Sequence, residues 1–251
     1  MTSGPSGSSQ EDDRPYRASP PPPRSRPDGK DVVSVFAGGF VAFAIMVAAV
    51  VVANTVTDGV FVRRLAEEPS KAWLQITVGA LVLFSPVYLV GIKVRRLVWR
   101  DLGFVPPTVT WIFRAILLGL VAHYAIGLVH LSLGEPLKDV MTRTFDPADS
   151  RMFDRVIVFA AVTTVVPLVE EVYFRGLLFR WLANRWGLYL GLLVSAVSFG
   201  ALHGDWIWAA ATAVLGVLLA YVYWRSGSIW TSIILHASYN GGGMIGIFIG
   251  N

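Results

Sequence analysis

The chain has 251 residues, of which 54% are hydrophobic and only 15% charged, with a formal net charge of +4 and no cysteine. Soluble domains carry about 25% charged residues, so this balance excludes an ordinary soluble domain and points to an integral membrane protein whose main partner is the lipid bilayer. Without cysteine, disulfides, thiolate metal ligands and a cysteine nucleophile are excluded; the Lys and Arg lie between apolar runs, as membrane topology would place them, and call for no nucleic-acid partner.

Residues 1–30 stand apart. "MTSGPSGSSQEDDRPYRASPPPPRSRPDGK" is rich in Pro, Ser, Gly and charge. It lacks the apolar surface that folding requires and is predicted to be a disordered, solvated tail. Residues 31–251 then read as an all-α, polytopic membrane helix bundle with about seven transmembrane helices. A spanning helix needs about 20 apolar residues. Val32–Val56 carries no charge over that length and reads as an uncleaved helix behind the polar tail. Further apolar segments run over Ala72–Ile92, Ala115–Gly134, Arg155–Asn184, Gly187–His203, Trp206–Trp224 and Ser228–Gly250.

Orientation follows from the asymmetry of Lys and Arg. With the N-terminus inside, 14 of them fall on the inner side against 7 on the outer, and setting Arg175 aside leaves 13 against 7. The expected topology is N-terminus cytoplasmic and C-terminus outside, in a plasma (inner) membrane.

"PLVEEVYFRG", residues 167–176, puts Glu170, Glu171 and Arg175 inside an otherwise apolar helix. An ionisable residue at a helix centre costs about 2.5–3.5 kcal/mol on insertion scales, so such groups face the bundle interior and have partners. Glu171 and Arg175, four apart, are neighbours on one helical face and can neutralise one another. By itself that reads as a structural ion pair. Glu170 lies about 100° around the helix and is left to face something else. Pro167 removes a backbone donor and is expected to kink the helix, freeing the carbonyl near Thr163.

Later helices supply candidate partners. Phe199 and His203 are four apart near the end of the fifth segment; His236 and Asn240 are four apart on the seventh. Counted from the inner ends at 1.5 Å per residue, Glu170 lies about 20 Å deep, His203 about 24 Å and His236 about 12 Å. A carboxylate in a dry site can act as general base on water, a histidine can share the proton, and a second His with an Asn amide can donate to an oxyanion. Glu170, His203 and His236 could alternatively bind Zn²⁺, although no HExxH is present and the sequence requires no cofactor. His123 and His130 read as interhelical hydrogen-bond donors. Phe199 reads as packing, Gly216 as a close helix approach, Gly227 as a turn and Asp205 as a helix cap.

The motifs EExxxR (Glu170, Glu171, Arg175), FxxxH (Phe199, His203) and HxxxN (His236, Asn240), in this order, resemble those of the CPBP family. These are the CAAX proteases and bacteriocin-processing enzymes, also called the Abi family, related to the Ras-converting CAAX endopeptidase. The resemblance covers residues 155–245, with "RDLGF" at 100–104 as a weaker likeness. It implies an intramembrane endopeptidase in which Glu170 and His203 activate water, His236 and Asn240 form the oxyanion hole, and Glu171 and Arg175 order the site. It leaves open a metalloendopeptidase or a metal-free, glutamate-type protease. The implied substrate is a peptide or membrane protein, prenylated in the CAAX case. Two other readings fit the same residues: a non-catalytic membrane adaptor recruiting partners through its tail, and a proton-coupled transporter using Glu and His as a relay.

Overall fold

The computed structural model describes residues 27–60, 72–134, 152–203 and 206–249. Nearly all of the tail and Asp205 lie outside them. Among the described residues seven helical passages follow one another: α1 (Gly29–Val56), α2 (Ala72–Pro86, continued by a π-helix, Val87–Val94), α3 (Val109–Ser132), α4 (residues 152–186), α5 (Leu188–Gly200), α6 (Trp206–Ser226) and α7 (Ile229–Ile249). No strand occurs among the described residues.

Five of these passages contain a helix long and apolar enough to cross a membrane: Gly29–Val56, Thr77–Val94, Val109–Ser132, Arg155–Trp186 and Trp206–Ser226. Their outward side chains are apolar, with Phe40, Val56 and Trp206 each more than 70% exposed, while Glu171 and Arg175 are fully buried. That inversion of the soluble pattern is what a lipid solvent selects, because only helices and barrels satisfy their backbone there. The integral membrane character expected from composition holds. Several boundaries differ, three of them with a local structural setting. α1 begins at Gly29 because Asp28 and Asp31 form a capping box. α3 starts at Val109 behind the Thr108 cap, six residues before the expected Ala115. α5 ends at Gly200, so His203 sits in the following turn rather than in the helix, its N–H bonded to the Gly200 carbonyl.

α4 lies at the centre. α3 packs along α7, α5 along α6 and α1 along α2, and α4 touches α1, α2, α5, α6 and α7. Small residues allow the close approaches. A Cβ at Gly216 would meet the Ala196 Cα at 3.0 Å, so the close helix approach expected at Gly216 is onto α5. Gly227 has φ +68 and turns α6 into α7, also as expected.

One end of the bundle is clasped by short-range polar contacts. Arg95 Nε donates to Asp31 Oδ1 at 2.7 Å and Nη2 to Asp28 Oδ1 at 3.5 Å, tying α2 to the start of α1. The "RDLGF" stretch forms a 3₁₀ turn (Trp99–Leu102) ending at Gly103, φ +89. The Gly103 carbonyl accepts from Ile229 N at 2.9 Å, and the Val105 carbonyl accepts from Ser228 Oγ. The Tyr223 ring occupies the space where a Gly103 Cβ would go. This turn therefore fixes the first residue of α7, and with it the register of every α7 side chain that reaches α4.

Candidate active site

α4 is not one regular helix. Met152–Ala160 is α-helical, Ala161–Val165 is π, Val166–Glu171 is α, Val172–Phe179 is π and Arg180–Trp186 is α again. π-turns occur mostly where function re-aims side chains. Both here flank the six residues that carry Pro167, Glu170 and Glu171.

Pro167 has no N–H. Val166 N–H bonds five residues back, to Ala161, so in this π register the carbonyl that residue 167 leaves unpaired is Val162. The expectation from α-helical spacing was Thr163; the π-turn shifts it by one. Asn240 Nδ2 donates to that Val162 carbonyl at 3.0 Å. In a membrane interior an orphaned carbonyl is costly, so Pro167 and Asn240 form a matched pair across α4 and α7.

Glu171 has more partners than Arg175 alone. Its Oε1 accepts from Arg175 Nη1 at 2.9 Å and lies 2.9 Å from His236 Nδ1. Its Oε2 accepts from Ser232 Oγ. All four residues are buried. The remaining reach of Arg175 goes to the Gly216 carbonyl, 3.1 Å from Nη2, and to the face of Phe199, whose ring centroid is 4.3 Å from the guanidinium carbon. Phe199 also packs edge-on to Phe174 and against His203 and His236. It is a packing residue, as expected, and it is the wall shared by the ion pair and both histidines.

Glu170 faces the other way. Its Oε1 lies 3.9 Å from His203 Nε2 and its Oε2 3.7 Å from His236 Nε2. Its side chain is 27% exposed and that of His203 32%, against 4% for His236. The open side of the site is therefore the Glu170–His203 edge. His203 Nδ1 is 2.7 Å from the Phe199 carbonyl, which only a protonated Nδ1 can satisfy; in the neutral ring Nε2 then presents a lone pair on the Glu170 side, and these two acceptors need a donor between them. His236 Nδ1 is likewise committed, as a donor to Glu171. Separations of 3.7–3.9 Å exceed a direct hydrogen bond and suit groups that act on a molecule shared between them.

Glu170, Glu171, Arg175, Phe199, His203 and His236 thus share one site. Asn240 stands one helical turn from His236 on the same α7 face, tied to Val162. The three groups named for zinc, Glu170, His203 and His236, do not form a metal-ligand cluster, and no set of three or more His, Asp or Glu among the described residues does. His130 does not donate between helices. It is buried with neither ring nitrogen hydrogen-bonded, and its ring lies against Trp208 at 4.2 Å. The His123 ring packs on Tyr239. Ser232 was not singled out from sequence, yet it stands four residues before His236 and could have been found by the same spacing. The Gly216 and Val162 carbonyls carry no sequence signal. A separate cleft of about 780 Å³ at the clasped end, bordered by Asp28, Lys30, Arg95, Trp181 and Arg185, includes none of the site residues.

Residues 152–242 match the family model for type II CAAX prenyl endopeptidase Rce1-like proteins. An Escherichia coli protein described as an uncharacterized 24.3 kDa protein is 26% identical over 133 residues, 51% of this chain and 59% of that protein. "Putative membrane peptidase YdiL" of Bacillus subtilis is 31% identical over 80 residues, 32% of this chain and 33% of that protein. UPF0177 protein YbdI of Lactococcus lactis is 24% identical over 169 residues, 67% of this chain and 83% of that protein. The chain thus spans just over half the length of the Escherichia coli relative and a third of the Bacillus one. No solved structure matches. All three motifs fall inside the matched residues 152–242, so over this segment the chain is similar to the Rce1-like type II CAAX prenyl endopeptidases.

Proposed function

We propose that the protein is an intramembrane endopeptidase that hydrolyses a peptide bond with water activated by Glu170 and His203. The observation that carries this reading is the Glu170 carboxylate, set inside the bundle within 4 Å of two imidazoles from two other elements. Glu170 takes the proton of a water held between it and His203 Nε2, and the hydroxide attacks the scissile carbonyl. Asn240 and His236 donate to the oxyanion that forms. One Asn240 N–H is committed to Val162; the second serves the oxyanion. His236 Nδ1–H holds Glu171, and its Nε2, 3.7 Å from Glu170, takes the water's proton on from Glu170, so the ring carries both protons while it donates from Nε2 to the oxyanion. On collapse that proton passes back through Glu170 to the leaving amine, and the ring returns to its Nδ1–H form. No step requires a metal.

The substrate in this reading is a peptide or membrane protein reaching the Glu170–His203 edge from the bilayer. A prenylated C-terminal peptide is the form the family name carries. The N-terminus faces the cytoplasm of a plasma (inner) membrane, in line with the Lys and Arg asymmetry.

The test is hydrolysis by purified protein in lipid nanodiscs, against prenylated and unprenylated peptides. Glu170→Gln and His203→Ala are expected to lower the rate at least about 100-fold, as loss of a general base does, with the fold unchanged by circular dichroism. Exhaustive chelation is expected to leave the wild-type rate unchanged. Full activity in Glu170→Gln would sink the reading. Loss of activity on chelation, restored by Zn²⁺, would replace its metal-free form.

A further inference from the structure

We propose that Ser232 is a positioning residue for His236, acting through Glu171; its relevance to catalysis rests on the hydrolytic reading above. Ser232, His236 and Asn240 follow one another at intervals of four on α7, so they lie on one face. Each reaches α4: Ser232 to Glu171 Oε2, His236 to Glu171 Oε1, Asn240 to the Val162 carbonyl. The HxxxN pair is therefore the outer part of a longer SxxxHxxxN ladder.

Ser232 is fully buried, and its single proton has two acceptors in range. The Leu219 carbonyl lies at 3.3 Å, while the Glu171 contact is shorter. The hydroxyl therefore goes to the carboxylate. With Oε2 satisfied, the Glu171 carboxyl plane is held, and Oε1 is aimed at His236 Nδ1 and Arg175 Nη1, each at 2.9 Å. That contact selects a protonated Nδ1 and turns Nε2 toward Glu170. A histidine tautomer set by the hydrogen bond at its other nitrogen is a general device; here the holder is itself held. Without the serine hydroxyl, Oε2 loses that donor in an apolar core. The carboxylate can then rotate to share Arg175, and His236 loses its fixed orientation.

The measurement is nitrogen-15 NMR of the full chain labelled at its four histidines, in nanodiscs, with His236 assigned by substitution of the other three. Wild-type protein is expected to show a protonated His236 Nδ1 that exchanges slowly with water. Ser232→Ala is expected to speed that exchange at least about tenfold and to populate the other tautomer, whereas Ser232→Thr, which keeps the hydroxyl, restores the wild-type signal. If Ser232→Ala does not fold, Ser232→Cys, of similar size but a weak donor, is expected to speed exchange in the same sense. A wild-type His236 signal in Ser232→Ala or Ser232→Cys overturns the proposal, as does a threonine variant that behaves like alanine. The readout needs no substrate. A chain that cuts nothing but shows these shifts would lose the protease reading and keep this role for Ser232.

Discussion

Glu170 and Glu171 are adjacent in sequence and opposite in environment. Glu171 is sealed among Arg175, His236 and Ser232, and Glu170 opens toward His203. The two carboxylates should therefore fail differently when changed. On the hydrolytic reading Glu170→Gln should remove activity, and, because it keeps the side chain's shape while taking a charge out of the bundle, stability should be near wild type or raised. Arg175→Met strands a buried carboxylate and should cost about 3–5 kcal/mol, read as a lower unfolding midpoint in detergent. Equal stability of Arg175→Met and wild type would mean the pair is solvated. The separation of roles was legible in the sequence, because a spacing of one residue rotates a side chain about 100° while a spacing of four does not. What could not be read was that Glu171 is a hub. Its contacts with Ser232 and His236 span more than 60 residues, and no local periodicity encodes them.

α4 and α7 are the elements that make the site, and both depend on backbone irregularity. Pro167 sits between two π-turns, and its missing donor is answered by Asn240. Pro167→Ala should restore an N–H that competes for the Val162 carbonyl. The expected result is at least about a tenfold loss of activity with stability retained or raised, since an interior proline costs about 3 kcal/mol that alanine does not. Unchanged activity in Pro167→Ala would show that Asn240 does not depend on the freed carbonyl. At the other end of α7, Gly103→Ala must adopt φ +89 and push against Tyr223. It should destabilise by about 1–3 kcal/mol, measurable by thermal unfolding. That regular α-helical pairing is broken here was legible from the proline alone. The residue it frees was not, because the one-residue offset comes from π-helical pairing, which depends on how α4 packs rather than on its own residues.

Across the whole molecule, composition alone led to the right fold class. A chain this poor in charge is placed in lipid, and its apolar runs of about 20 residues satisfy their backbone there as helices rather than as barrel strands. Helix ends were less legible. Asp28 reads as part of the polar tail and Asp31 falls just before the first apolar segment, yet together they cap α1 and hold Arg95. His203 falls in a turn because α5 stops at Gly200, where a Cβ would run into the Ala209 carbonyl of α6. Lys and Arg placement predicts the direction of insertion, with a reporter fused after Asn251 outside; a cytoplasmic reporter would reverse that expectation.

The central claim is that Glu170 performs hydrolysis in the cell. It is tested most directly by an unbiased comparison of membrane-bound and secreted peptide termini in cells carrying wild-type protein or Glu170→Gln at equal abundance. The expected result is a set of new termini with the wild type that is missing with Glu170→Gln. Identical termini in the two, with both proteins folded and inserted, would contradict it.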